Sequence, residues 1–257
     1  MILPVLLHGL LVAAGLLLMG GEAEDSEAAP ADFAGAVEAY REARYGQATD
    51  AFAALAAAEV DGGRAAVLHG NAGTAAARAE RWGEAVWHLR RACELSPRDP
   101  VAAVNLERVR ALLGQGESEA RQFTTTLLAL PLHFTPHENR ALSSLAAGVA
   151  LALLAAWRTG RTGGRAAALA VTLLLLAAAW ALYAAAAWRR EATRAVVLAP
   201  VVTGRVEPDA GADALFRLSA GTVVRWDEAR HDWLLIQSDA GARGWVPGAE
   251  VRPLMAH

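Results

Sequence analysis

Few residues in this chain have the type and spacing to support catalysis. His133 and His137 stand four apart, which on one continuous helix would aim two imidazoles at a shared metal. Thr135-Pro136 between them reads as a helix start, so the two rings do not share a face. Glu80 and Glu84 have the spacing of an acid–base dyad, and equally that of a solvated helical pair, which is the reading adopted. The "GNAG" of residues 70–73 lacks the lysine a phosphate loop needs, and no HExxH or GxSxG pattern occurs. The single cysteine, Cys93, rules out an intrachain disulfide framework and reads as a small buried residue. These residues point to a non-enzymatic protein with no catalytic residues, no cofactor and no metal.

Binding chemistry is better represented. Arg41 and Arg78 occupy the same register of two similar segments, and Arg108 follows on the next helix. Together they could line a groove for an acidic partner segment through charge-assisted hydrogen bonds. The alternative is that they are solvated surface arginines. Trp226 and Trp245 could offer aromatic surface to a ligand or fill a small core, whereas Trp233 reads as core. Basic residues are all arginine, the net charge is −3, and no basic patch interleaved with aromatics occurs, which argues against nucleic-acid binding.

The arginine segments belong to helices that cannot bury their apolar faces alone. In "ERWGEAVWHLRRACELSPRD", Trp82, Ala85, Val86, Leu89, Ala92 and Leu95 recur at helical steps, and Pro97 ends the run. Gly73, Ala85, Leu89, Ala92 and Pro97 fall at the spacing of the tetratricopeptide signature. Upstream, Tyr45, Ala48 and Phe52 match Trp82, Ala85 and Leu89 at an offset of 37 residues, with Asp61-Gly62-Gly63 absorbing the excess in the intervening turn. Asp99-Pro100 opens a further helix that closes the stack. Residues 31–114 are therefore predicted to be tetratricopeptide-like repeats, followed by a linker over 115–134.

Three stretches suit a membrane. Residues 1–23 carry a long apolar run followed by acids, as a signal peptide or an uncleaved anchor would. Residues 135–157 start with a capping box, Thr135-Pro136-His137-Glu138, and residues 166–188 are apolar throughout. The arginine-bearing turn at 158–165 favours a cytoplasmic hairpin tip, but Arg140, Arg189, Arg190 and Arg194 flank the other side; the export signal at 1–23 breaks the tie and leaves both soluble parts outside the cytoplasm. Gly148, Ala152 and Ala156, and likewise Ala177, Ala181 and Ala185, fall four apart as helix-contact stripes do; plain alanine abundance would produce the same spacing. Neither apolar core holds a charge, which favours an anchor over a transport pathway.

From residue 195 to 254 the pattern changes to short alternating runs separated by turn residues, the sign of a small all-β barrel. "LFRLSAGTVV", Trp233 and Gly244-Trp245-Val246 resemble bacterial SH3-type domains, which bind peptides or cell-wall fragments. The fold class expected is thus multidomain: an all-α repeat, a two-helix transmembrane hairpin and an SH3-like barrel. That order of parts resembles the BatE family of the Bacteroides aerotolerance operons. The resemblance rests on the repeat from Ala85 to Pro97, Asn105-Leu106, the Thr135 to Glu138 motif and "LFRLSAGTVV…GWV". It implies an inner-membrane scaffold for von Willebrand A-type Bat proteins and a MoxR-type AAA+ ATPase, tied to envelope stress tolerance. The rival reading is a peptidoglycan-binding sensor or anchor acting through the SH3-like domain.

Overall fold

Helix-forming and strand-forming stretches segregate along the chain, and the computed structural model follows that division. It describes residues 32–115, 130–239 and 241–255. The apolar stretch at 1–23 and most of the 115–134 linker lie outside the described residues. Helices α1 (Phe33–Arg41), α2 (Tyr45–Ala58), α3 (Gly62–Arg78), α4 (Trp82–Leu95) and α5 (Pro100–Leu112) come first. A 3₁₀ turn at Leu130–His133 precedes two long helices, α6 (Pro136–Arg158) and α7 (Gly164–Ala192). Strands β1 (Arg194–Val197), β2 (Val201–Arg205), β3 (Ala214–Ser219), β4 (Val223–Arg230), β5 (Trp233–Ser238), β6 (Arg243–Pro247) and β7 (Val251–Pro253) complete the fold.

The array from α1 to α5 is built on one recurring turn. Ala43, Glu80 and Gly114 each adopt a left-handed conformation, with φ of 60°, 59° and 68°. After each, the next amide donates back into the finished helix: Arg44 to Ala39, Arg81 to Ala76 and Gln115 to Arg110. This is the paired hydrogen-bond closure that ends helices at a left-handed residue. Asp61 caps α3 by accepting from the Arg64 amide, so Gly62 and Gly63 form the first turn of that helix and not the loop expected for them.

Between α3 and α4, His69 meets His88 while Gly73 meets Ala85, so the two helices run antiparallel. The approach is close enough to require glycine at 73: a Cβ there would lie 2.7 Å from Leu89 Cγ and 3.1 Å from the Ala85 carbonyl oxygen. Gly73→Ala is therefore expected to lose about 1–2 kcal/mol net. Overpacking costs ~1–3 kcal/mol, and improved helix propensity returns part of it. Thermal unfolding followed by far-ultraviolet circular dichroism checks this; an unchanged or raised midpoint would contradict the close approach.

Helices α6 and α7 pack side by side. The capping box read from Thr135 and Glu138 is present, with the Thr135 hydroxyl accepting from the Glu138 amide and Glu138 accepting from the Thr135 amide at 2.8 Å. Both helices are long and apolar enough to cross a membrane, and most of their surface is left uncovered by the rest of the chain. Leu145, Leu151, Leu175, Leu176 and Leu182 are all exposed. The expected contact stripes need correcting. Gly148, Ala152, Ala181 and Ala185 face outward; of the expected stripes Ala177 is buried, and the other buried small residues are Ala150, Ala170, Ala184 and Ala187, with Ala170, Ala177 and Ala184 seven apart. A seven-residue step keeps a seam aligned along two nearly parallel helices, whereas a four-residue step drifts around the helix.

The strands form a seven-stranded sheet in the order β3-β2-β6-β5-β4-β1-β7, each neighbouring pair antiparallel. Inward residues of distant strands meet in one cluster of Ala195, Val197, Val202, Val224, Ile236, Val246 and Val251, so the sheet curls around its own core.

Candidate functional site

Helices and sheet are not separate modules. Val196 from β1 and Leu254 after β7 join Ala76, Ala85, Val86, Leu89 and Val109 of the helices in one buried cluster. The sheet docks through its turns. Gly83, near the start of α4, is so close to the β1–β2 turn that a Cβ would lie 2.5 Å from Leu198 Cα and from the Val197 carbonyl oxygen. Gly221, in the β3–β4 turn, faces Val86 and Leu113 in the same way.

Polar contacts fix the orientation. The Trp87 indole N–H donates to the Pro253 carbonyl at 2.9 Å, and the Arg252 guanidinium lies 4.9 Å from the centre of the same ring. Gln115 donates to the Ala220 carbonyl. A hydrophobic cluster alone resists separation but not sliding; directional bonds at its rim select one docking geometry.

The array is also clamped to one end of the α6–α7 pair. Arg90 on α4 pairs with Glu191 in the last turn of α7 at 3.0 Å, both side chains being nearly buried. Arg98, in the turn after α4, pairs with Glu138 in the first turn of α6. Only Thr193 separates α7 from β1, so the helix feeds straight into the sheet. An exposed pair such as Arg98–Glu138 contributes little stability, but a buried one leaves an uncompensated charge when broken and so holds its geometry.

Behind Trp87 lies a buried histidine pair. His69 Nδ1 and His88 Nδ1 are 2.9 Å apart, so one donates and the other accepts. Burial, then nearby Arg91, lowers the His69 pKa to about 4. Burial, then His69, Arg252 and Arg81, lowers that of His88 to about 3. Both rings are neutral at physiological pH.

The residues singled out from sequence fall at several places. Arg41 and Arg78 end α1 and α3 and are exposed, as is Arg108 in α5; Arg41 stands 3.8 Å from Glu38. Trp226 is half-buried against the sheet core. Trp245 is 8% exposed, with the Arg230 guanidinium 5.1 Å from its ring centre, so a ligand must displace that arginine to reach it. Glu84 accepts from Arg81 at 2.9 Å, and Arg81 also reaches Asp50 at 2.8 Å, which ties α4 to α2. Cys93 is half-buried and its thiol is pushed up to about 11 by burial, which suppresses thiolate chemistry. Among the described residues, no cluster of three or more histidine, cysteine or carboxylate side chains could hold a metal ion.

Sequence reasoning passed over Gly83, Trp87, Arg90 and Glu191. The signal for Glu191 was present: one acid among three arginines, Arg189, Arg190 and Arg194, at the end of an apolar helix.

Residues 205–252 match the family described as Bacterial SH3 domain, which places the sheet from the end of β2 into β7 in that class. No curated protein and no solved structure matches the chain.

Proposed function

We propose that this protein is a membrane-anchored, non-enzymatic scaffold. Its helical array, of tetratricopeptide type, and its SH3-like sheet stand outside the cytoplasm as one rigid head. The observation that carries the reading is the shared core of Ala76, Val86, Leu89, Val196 and Leu254, since two modules with one core lie on one side of any bilayer. With α6 and α7 between them, the chain crosses twice and returns. The apolar faces of those helices support this, because a water-exposed patch of such extent is a liability outside lipid.

A rigid head with a helical array and a β-sheet offers two binding surfaces at fixed separation, which raises the effective concentration of a bivalent partner. The resemblance to the BatE family supplies the partner class: membrane-bound von Willebrand A-type proteins served by a MoxR-type ATPase. A second reading is favoured by the match over residues 205–252, because bacterial SH3 domains bind proteins or peptidoglycan. In that reading the sheet holds cell-wall stem peptides.

Cysteines introduced at Asp50 and Asp239, both exposed, in a Cys93→Ala background test the topology. Both are expected to react with a membrane-impermeant maleimide in intact cells, and a cysteine at Arg161 is expected to stay protected. Labelling of only one of the first two sites would end the shared-head reading. The full chain in detergent, incubated with purified sacculi, separates the two functions. Retention without co-purifying membrane proteins selects the cell-wall reading.

A further inference from the structure

A pocket of about 230 Å³ lies where α4, the 3₁₀ turn before α6 and the last turns of α7 meet. Its walls include Arg90, Cys93, Glu94, His133, Trp188 and Glu191. Three of these carry a buried polar atom without a hydrogen-bond partner: Arg90 Nε, Trp188 Nε1 and Glu94 Oε1. Their other bonds are made. Arg90 Nη1 donates to Glu191, and Glu94 Oε2 accepts from Arg91 at 2.7 Å.

The unmatched set is therefore two N–H donors and one carboxylate oxygen, all on residues that line one space. Buried polar groups left unpaired cost about 1–3 kcal/mol each, so such a set favours a ligand carrying the complementary groups. Two donors, one of them cationic, suit a phosphate; the carboxylate oxygen suits an ammonium. The position narrows the source. Trp188 belongs to the final turns of α7, and His133 lies three residues before α6, so the pocket sits at the level where both apolar helices end. Arg189 and Arg190 are exposed beside it. That is headgroup depth in a bilayer.

We propose that this pocket binds the phosphate–ammonium headgroup of an ethanolamine phospholipid, with Arg90 and Trp188 facing the phosphate and Glu94 the ammonium. The site rests on the membrane reading above. It would tie the orientation of the head to the lipid around it, because Arg90 and Glu191 also form the clamp between α4 and α7.

The single cysteine lines the pocket, so its alkylation reports occupancy. The full chain is placed in nanodiscs of phosphatidylcholine alone, or of phosphatidylcholine mixed equally with phosphatidylethanolamine or phosphatidylglycerol. Iodoacetamide addition to Cys93 at pH 9, where enough thiolate forms for the unoccupied pocket to react over hours, is then followed by mass spectrometry. Alkylation is expected to slow about tenfold with phosphatidylethanolamine relative to the other two, as mass-action protection requires. Choline has no N–H to donate, and glycerol has no cation. Glu94→Gln should raise the phosphatidylethanolamine rate to the phosphatidylcholine rate. Trp188→Phe should speed alkylation with phosphatidylethanolamine and leave the phosphatidylcholine rate unchanged, with circular dichroism confirming the fold of each variant.

Soluble O-phosphoethanolamine added to the chain in lipid-free micelles separates the sources. Protection there as strong as in discs would transfer the site from the lipid to a soluble phosphoethanolamine and overturn the proposal. Equal rates in all three disc types would also overturn it, leaving water as the partner of these atoms. A chain that elutes apart from the discs would remove the membrane reading and the lipid site together, whereas incorporation with indifferent alkylation removes only the site.

Discussion

Gly83→Val is expected to destabilise the head by about 3 kcal/mol or more, while Gly46→Ala at the same place in α2 is expected to stabilise it by up to ~1 kcal/mol. The two glycines stand one residue after Tyr45 and Trp82, the aromatic starts of α2 and α4. Chemically they are the same residue in the same turn of a helix. Nothing lies within 4 Å of a Cβ built on Gly46, so alanine there gains helix propensity alone. At Gly83 the same atom would meet the Leu198 Cα and the Val197 and Leu198 carbonyl oxygens, which are backbone and cannot rotate aside. Valine must push the β1–β2 turn off the array and open the cluster that holds Val196 and Leu254. Thermal unfolding of the detergent-solubilised chain, read by near-ultraviolet circular dichroism, measures both effects. Equal midpoints for Gly83→Val and the unchanged chain would mean that sheet and array are not docked as described.

That contrast also shows what was legible before the fold was known. The helix starts of the array were readable because their marks are local, whereas its left-handed turns at Ala43 and Glu80 carry no such mark. Tyr45 and Trp82 mark the starts of α2 and α4, and Asp99-Pro100 marks a capped helix start. The strands were readable for the same reason: alternation in "ALFRL" and "WLLIQ" is contained within each run. Docking was not readable, because its partners are far apart in sequence. Trp87 and Pro253 are separated by 166 residues, and neither carries a local mark of the other. Arg90 and Glu191 look like surface charges until α7 is seen to continue past Trp188 and bring the carboxylate to α4. Trp245 is the converse case. Its type and place suited either a ligand or the core, and only the arginine across the ring shows how little of it faces outward.

A second large effect comes from acid. Between pH about 6.5 and 4 the protein is expected to lose stability on the order of 5 kcal/mol through His69 and His88, beyond what its carboxylates contribute. Both folded pKa values lie below the unfolded value, at about 4 and about 3, so the unfolded chain takes up protons first as pH falls. The sign is therefore fixed. Above pH about 6.5 both states hold neutral rings and stability is flat in these groups, and the loss accrues downward from there. Arg91 faces His69, and Arg81 and Arg252 face His88, so among the described residues the charged groups that act on the two rings are cations, which oppose a new positive charge. Protonating both rings would set two Nδ1–H donors against each other across 2.9 Å, so the second proton is the costlier one. Trp87 packs edge-on against both rings while its indole holds Pro253, so disturbance of the pair reaches the sheet–array contact directly. His69→Leu combined with His88→Leu removes both partners together, a change that leaves no orphaned polar atom and is close to neutral at pH 7. Denaturant unfolding at pH 7 and pH 4.5 should show a marked stability drop in the unchanged chain and a much smaller one in the double variant. Equal drops would place the acid sensitivity in the carboxylates and free the histidine pair of any part in it.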